Sequence, residues 1–72
     1  MNARDLDEVE SHISEVRANI ERQRKLIHKL KADGHDEDIA QAEGLLRTLE
    51  ESLLVLRERR STILHQVRRP HA

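Results

Sequence analysis

The chain has 72 residues, no cysteine and no aromatic residue, and its 13 basic and 14 acidic side chains leave a formal net charge of −1. A chain this short buries a small share of its surface and relies on disulfides, metals or partners for stability, and the missing cysteines close the first route. The missing aromatics remove the stacking platforms of single-stranded nucleic-acid modules, and the near-zero charge removes a global field for polyanions.

From the N-terminus, Met1-Asn2-Ala3-Arg4-Asp5 has no apolar core of the signal-peptide kind. No apolar run approaches the roughly 18 residues of a membrane span, so a cytoplasmic protein without a membrane partner is expected. Asp5 is the expected helix cap, with Glu8 reaching back to it in a capping box. Beyond it Leu6, Val9, Ile13, Val16, Ile20, Ile27 and Leu30 recur at alternating steps of three and four, and Gln23 fills the one missing place. That period is a heptad seam on a helix.

The stretch Asp33-Gly34-His35-Asp36 interrupts the pattern. Gly34 can adopt the left-handed conformation that ends a helix, and Asp36 can cap the next one. A second seam follows through Ile39, Ala42, Leu46, Leu49, Leu53, Leu56, Ile63 and Val67, broken at Arg60. Pro70 is the expected stop. The pattern therefore predicts a single domain over residues 1–72, with a helix over about 5–32, a turn at 33–36, a helix over about 37–68 and a short tail at 69–72. The expected fold is all-α, an antiparallel two-helix coiled-coil hairpin.

Charge order agrees with two helices. Acids gather at each start (Asp5, Asp7, Glu8, Glu10, then Asp36, Glu37, Asp38) and bases at each end (Lys25, Lys29, Lys31, then Arg57, Arg59, Arg60, Arg68, Arg69), opposing each helix dipole. Folding the chain at the turn predicts four opposite-charge contacts, Lys31 with Asp36, Arg24 with Glu43, Arg17 with Glu50, and Glu10 with Arg57. Such contacts disfavour slipped pairings more than they add energy.

On the opposite flank the same register sets Leu26 against Leu45 and continues through Thr48, Ser52, Val55 and Thr62, with no charge between Leu45 and Val55. An exposed surface of this kind calls for a cover. By area bookkeeping a lone hairpin comes out near zero stability, and a homodimeric four-helix bundle is the simplest remedy. The expected dimer or partner face comprises Leu26, Leu45, Leu46, Leu49, Ser52, Leu53, Val55 and Leu56.

At His12-Ile13, Ile20-Glu21-Arg22-Gln23-Arg24, Asp33-Gly34-His35-Asp36 and Leu45-Leu46 the chain resembles a group of small alphaproteobacterial, rhizobial-type helical proteins. Their pattern is His-Ile, then Arg-Gln-Arg, then Gly-His-Asp. The resemblance implies a bacterial origin and a short helical protein, and it carries over no functional residue. In architecture alone the chain is also similar to the plasmid copy-number protein Rop, a hairpin that dimerises into a four-helix bundle and binds paired RNA loops. The aromatic used for RNA there has no counterpart here.

Candidate chemistry is sparse. His12, His28, His35, His65 and His71 never recur at the three- or four-residue interval by which a helix gathers metal ligands, so no metal and no cofactor is expected. His35 is expected to shape the turn. Gln23 and Arg60 are expected to act structurally, by fixing register or by packing a stem with the charged head turned to water, Glu8 or Glu10. Without a cysteine nucleophile, a glycine-rich phosphate loop or a pocket, no enzymatic activity is expected. The pattern predicts an interaction module that recognises itself or another protein. The rival reading is a small nucleic-acid-binding regulator using Arg57, Arg59, Arg60, Arg68 and Arg69, although the acids of the first helix start lie beside that cluster and offset its field.

Overall fold

The computed structural model describes residues 3–67, and every one of these except Gly34 and His35 lies in a helix. Helix α1 runs Ala3–Asp33 and helix α2 runs Asp36–Val67. They fold back on each other as an all-helical hairpin with extensive helix-to-helix contact. At 1.5 Å per residue each helix is about 47 Å long. The sequence-based positions at Arg68, Arg69, Pro70 and the tail lie outside the described residues.

The reversal between the helices takes two residues. Gly34 has φ +77°, and its amide donates to the carbonyl of Lys31 at 3.3 Å while the amide of His35 donates to that of Leu30 at 2.9 Å. This pair of bonds is a Schellman closure, which occupies helix-end carbonyls that would otherwise lack partners. The amide of Asp38 then donates to the carbonyl of His35 at 3.1 Å. His35 is therefore the residue that opens α2. Asp36, expected as the cap, instead stands inside the first turn with Glu37 and Asp38. Asp5 is likewise inside the first turn of α1 rather than before it. In both places the carboxylates face the positive end of the helix dipole.

Both seams pack where their periods place them except at Val67, which is exposed at the open end, and they pack unequally. On α1, Val9, Ile13, Ile20, Gln23 and Ile27 are buried, whereas on α2 only Ala42 and Ile63 are, and the intervening leucines are half-buried. The tightest cluster lies at the open end, where Val9, Ile13 and Ile63 meet Leu6, Leu53 and Leu56. Nearer the turn the interior holds a polar contact, in which Gln23 Nε2 donates to the carbonyl of Ala42 at 2.9 Å. No buried side-chain polar atom among the described residues lacks a partner. Arg60 is half-buried, as expected for a packed stem, but neither Glu8 nor Glu10 stands within ion-pair distance of it.

The four expected charge contacts do not form. Arg24 pairs instead with Glu50, at 3.4 Å, and Arg17 lines the same crevice as Arg57, Glu21 and Glu50. The reason is the slant of side chains toward their own helix N-terminus. In an antiparallel pair, residues level with each other slant apart, as Arg24 and Glu43 do. Partners that meet are staggered by about one and a half turns, as Arg24 and Glu50 are. That ion pair is exposed on both sides and contributes at most about 0.5 kcal/mol.

Two glycine substitutions should have opposite signs in urea melts at fixed protein concentration. Gly34→Ala forces a Cβ into the left-handed region and should lower stability by about 1 kcal/mol. Gly44 lies within α2, and the nearest atom to an added Cβ is the Arg47 guanidinium at 4.0 Å. Gly44→Ala should therefore raise stability by about 0.5–1 kcal/mol. A second comparison ranks the two cross-helix polar contacts: Gln23→Ala should cost about 1–2 kcal/mol, through a lost buried bond and a cavity, and Arg24→Ala less than about 0.5 kcal/mol. Equal losses would contradict that ranking.

Candidate interaction surface

The width of the apolar stripe on α2 creates the surface. In the run Leu53-Leu54-Val55-Leu56, residues 53 and 56 face α1 and half-bury themselves there, which turns Leu54 and Val55 to opposite flanks. Leu54 is 59% exposed, Val55 63%, Leu45 51% and, on α1, Leu26 45%. α1 is too narrow to cover them.

Leu26, Leu45 and Val55 share one flank. Near the turn Leu26, Leu30, Gln41, Ala42 and Leu45 line a shallow groove that also admits Gln23 and Asp38. Toward the open end the flank continues as a second shallow groove lined by Thr48, Glu51, Ser52, Val55 and Leu56. Glu51 thus borders the stretch between Leu45 and Val55, which sequence position along the stripe alone leaves free of charge. The hydroxyls of Thr48 and Thr62 donate to the carbonyls of Gly44 and Glu58 on their own helix, at 3.2 and 3.1 Å. Their donors are already satisfied, so burying this flank strands neither hydroxyl proton.

The eight residues expected on the partner face separate into two groups. Leu26, Leu45, Ser52 and Val55 are exposed on the flank, whereas Leu46, Leu49, Leu53 and Leu56 are half-buried toward α1. Leu30 and Gln41 join the flank. The opposite flank holds Leu54 in the crevice lined by Arg17, Glu21, Arg24, Glu50 and Arg57. Sequence reading passed over Leu54, although four consecutive apolar residues on a helix cannot all reach one seam.

The described arginines of the rival reading have different surroundings. Arg57 lines the charged crevice, Arg59 is exposed and Arg60 is half-buried in the seam. At about 100° per residue Arg57 and Arg60, three apart, lie about 60° from each other, whereas Arg59 points to another side of α2. Arg68 and Arg69 lie outside the described residues.

His12, His28, His35 and His65 are all exposed, and His71 lies outside the described residues. Among the described residues, His35, Glu37 and Asp38 bring one ligand-type atom each within 4.8 Å of one another, all exposed. Histidine spacing does not find this group; the interval of three from His35 to Asp38 does. Its acids are accounted for by the helix start on which they sit. No described helix is long and apolar enough to cross a membrane. Comparison with protein-family models, with curated proteins and with solved structures finds no match.

Proposed function

We propose that this chain is a non-catalytic helical interaction module that self-associates through the Leu26–Leu45–Val55 flank and offers its remaining faces to another protein. The observation that carries this reading is the excess of apolar surface on α2. Its seam is already spent on α1, yet Leu45 and Val55 remain more than half exposed on one flank. Covering that flank removes apolar area from water, at roughly 25 cal/mol per Å². A hairpin face about 45 Å long and about 20 Å wide is also comparable with the roughly 800 Å² per partner of a specific interface. The pairing that satisfies these conditions is a homodimer in the form of a four-helix bundle. The resemblance to small rhizobial-type helical proteins fits a bacterial cytoplasmic setting. The nucleic-acid reading has weaker support, because Arg57 shares a crevice with Glu21 and Glu50, Arg60 is half-buried in the seam and Arg59 points to another side of α2.

Sedimentation equilibrium together with far-ultraviolet dichroism melts across a concentration series tests the proposal. A dimer mass and a melting midpoint that rises with concentration are expected. Leu45→Glu combined with Val55→Glu should give a monomer that melts earlier. An unchanged dimer mass in that variant would remove this flank from the interface.

A further inference from the structure

We infer that the partner on this flank is a second copy of the chain laid antiparallel to the first, so that the two turns lie at opposite ends of the assembly. This rests on the self-association proposed above and adds an orientation to it.

On α1 the outer row of the flank is Glu8, Glu15, Arg22 and Lys29, at intervals of seven residues and all exposed. Arg22 donates to Asn19 Oδ1, which keeps its guanidinium on the flank. Two acids followed by two bases complement themselves when the row is reversed. Glu8 then meets Lys29 of the second copy, and Glu15 meets Arg22. The midpoint of this row falls between Ala18 and Asn19.

On α2 the flank reads Asp38, Gln41, Leu45, Thr48, Ser52, Val55, Arg59, Thr62. Reversed upon itself, it sets Leu45 on Val55, Thr48 on Ser52, and the Asp38–Gln41 end on Arg59. The midpoint of that row is Glu50. Asn19 stands fifteen residues before Gly34 and Glu50 fifteen after His35, so the two midpoints lie level across the hairpin. A charge row on one helix and an apolar row on the other therefore call for the same two-fold axis, as a self-complementary interface requires.

The alternative places both turns at one end and lays α2 on α1 of the second copy. It also meets Asp38 with Lys29 and Arg59 with Glu8, so the ends do not discriminate. The middle does. That arrangement would set Val55, the most exposed of the large hydrophobic side chains, against the His12–Glu15 stretch and leave Glu15 and Arg22 without each other. The antiparallel order buries Val55 on a leucine and leaves the charges at the rim, where they favour correct pairing over alternatives.

The chain has no cysteine, so a single His35→Cys substitution takes one spin label per copy at the turn. Electron spin-spin distances in the full chain, measured where sedimentation gives a dimer mass, should be about 45 Å, twice the fifteen-residue helical rise from turn to axis. A dimer mass with labels within about 20 Å of each other would overturn the antiparallel order and leave self-association standing. A monomer mass at every concentration would overturn both.

Discussion

The reversal at Gly34 sets the geometry from which the surface follows. A glycine at positive φ lets the chain turn back within two residues, and the paired amide bonds to Leu30 and Lys31 close α1 where the left-handed residue stands. With so short a link, residues at equal distance from the turn lie level, and neither helix has slack to slide. The seams then meet along their length, and whatever apolar surface is not on a seam is fixed on an outer flank.

With the register held, the two helices contribute unequally. Apart from Leu26, α1 carries an apolar stripe of one seam's width, most of which is buried. α2 carries a broader stripe and hides only its ends fully, at Ala42 and Ile63. A stripe wider than a single neighbour can cover usually marks a helix with more than one neighbour. Full burial of a valine or leucine contributes roughly 1.5–3 kcal/mol, far more than the exposed Arg24–Glu50 pair. The uncovered apolar surface therefore outweighs the visible charge contact in deciding what the hairpin does next.

The heptad steps made both helices and the turn legible in the sequence, because period and left-handed glycine are local properties. The unequal burial of the seams was not legible, since Leu46 and Ile63 hold equivalent places in the period and yet one is half-buried and the other fully buried. The charge contacts differ from expectation for a definite reason: counting residues from the turn places backbones level, whereas side chains slant and meet their partners about one and a half turns away. Arg24 reaching Glu50, and Arg17 sharing a crevice with Arg57, both follow from that slant. The cap at α2 shifted by one residue because His35 closes α1 with its amide and opens α2 with its carbonyl. On the flank, Leu26, Leu45 and Val55 were readable as one row, while Leu54 required knowing which two of four adjacent apolar residues reached α1.

The polar features of the molecule constrain how a partner can approach without themselves forming a reactive centre. Gln23 is satisfied by the Ala42 carbonyl, and Thr48 and Thr62 by their own helix, so the flank can lose its water without stranding those donors. On α1 its charges sit in the row farther from the seam, and on α2 Asp38 and Arg59 stand toward the two ends of the row, all exposed to water. An incoming helix therefore meets aliphatic side chains and threonine methyls in the middle and charges of fixed order at the edges. Such a face rewards a partner whose apolar row runs alongside an oppositely ordered charge row, and reversing this chain's own flank supplies both.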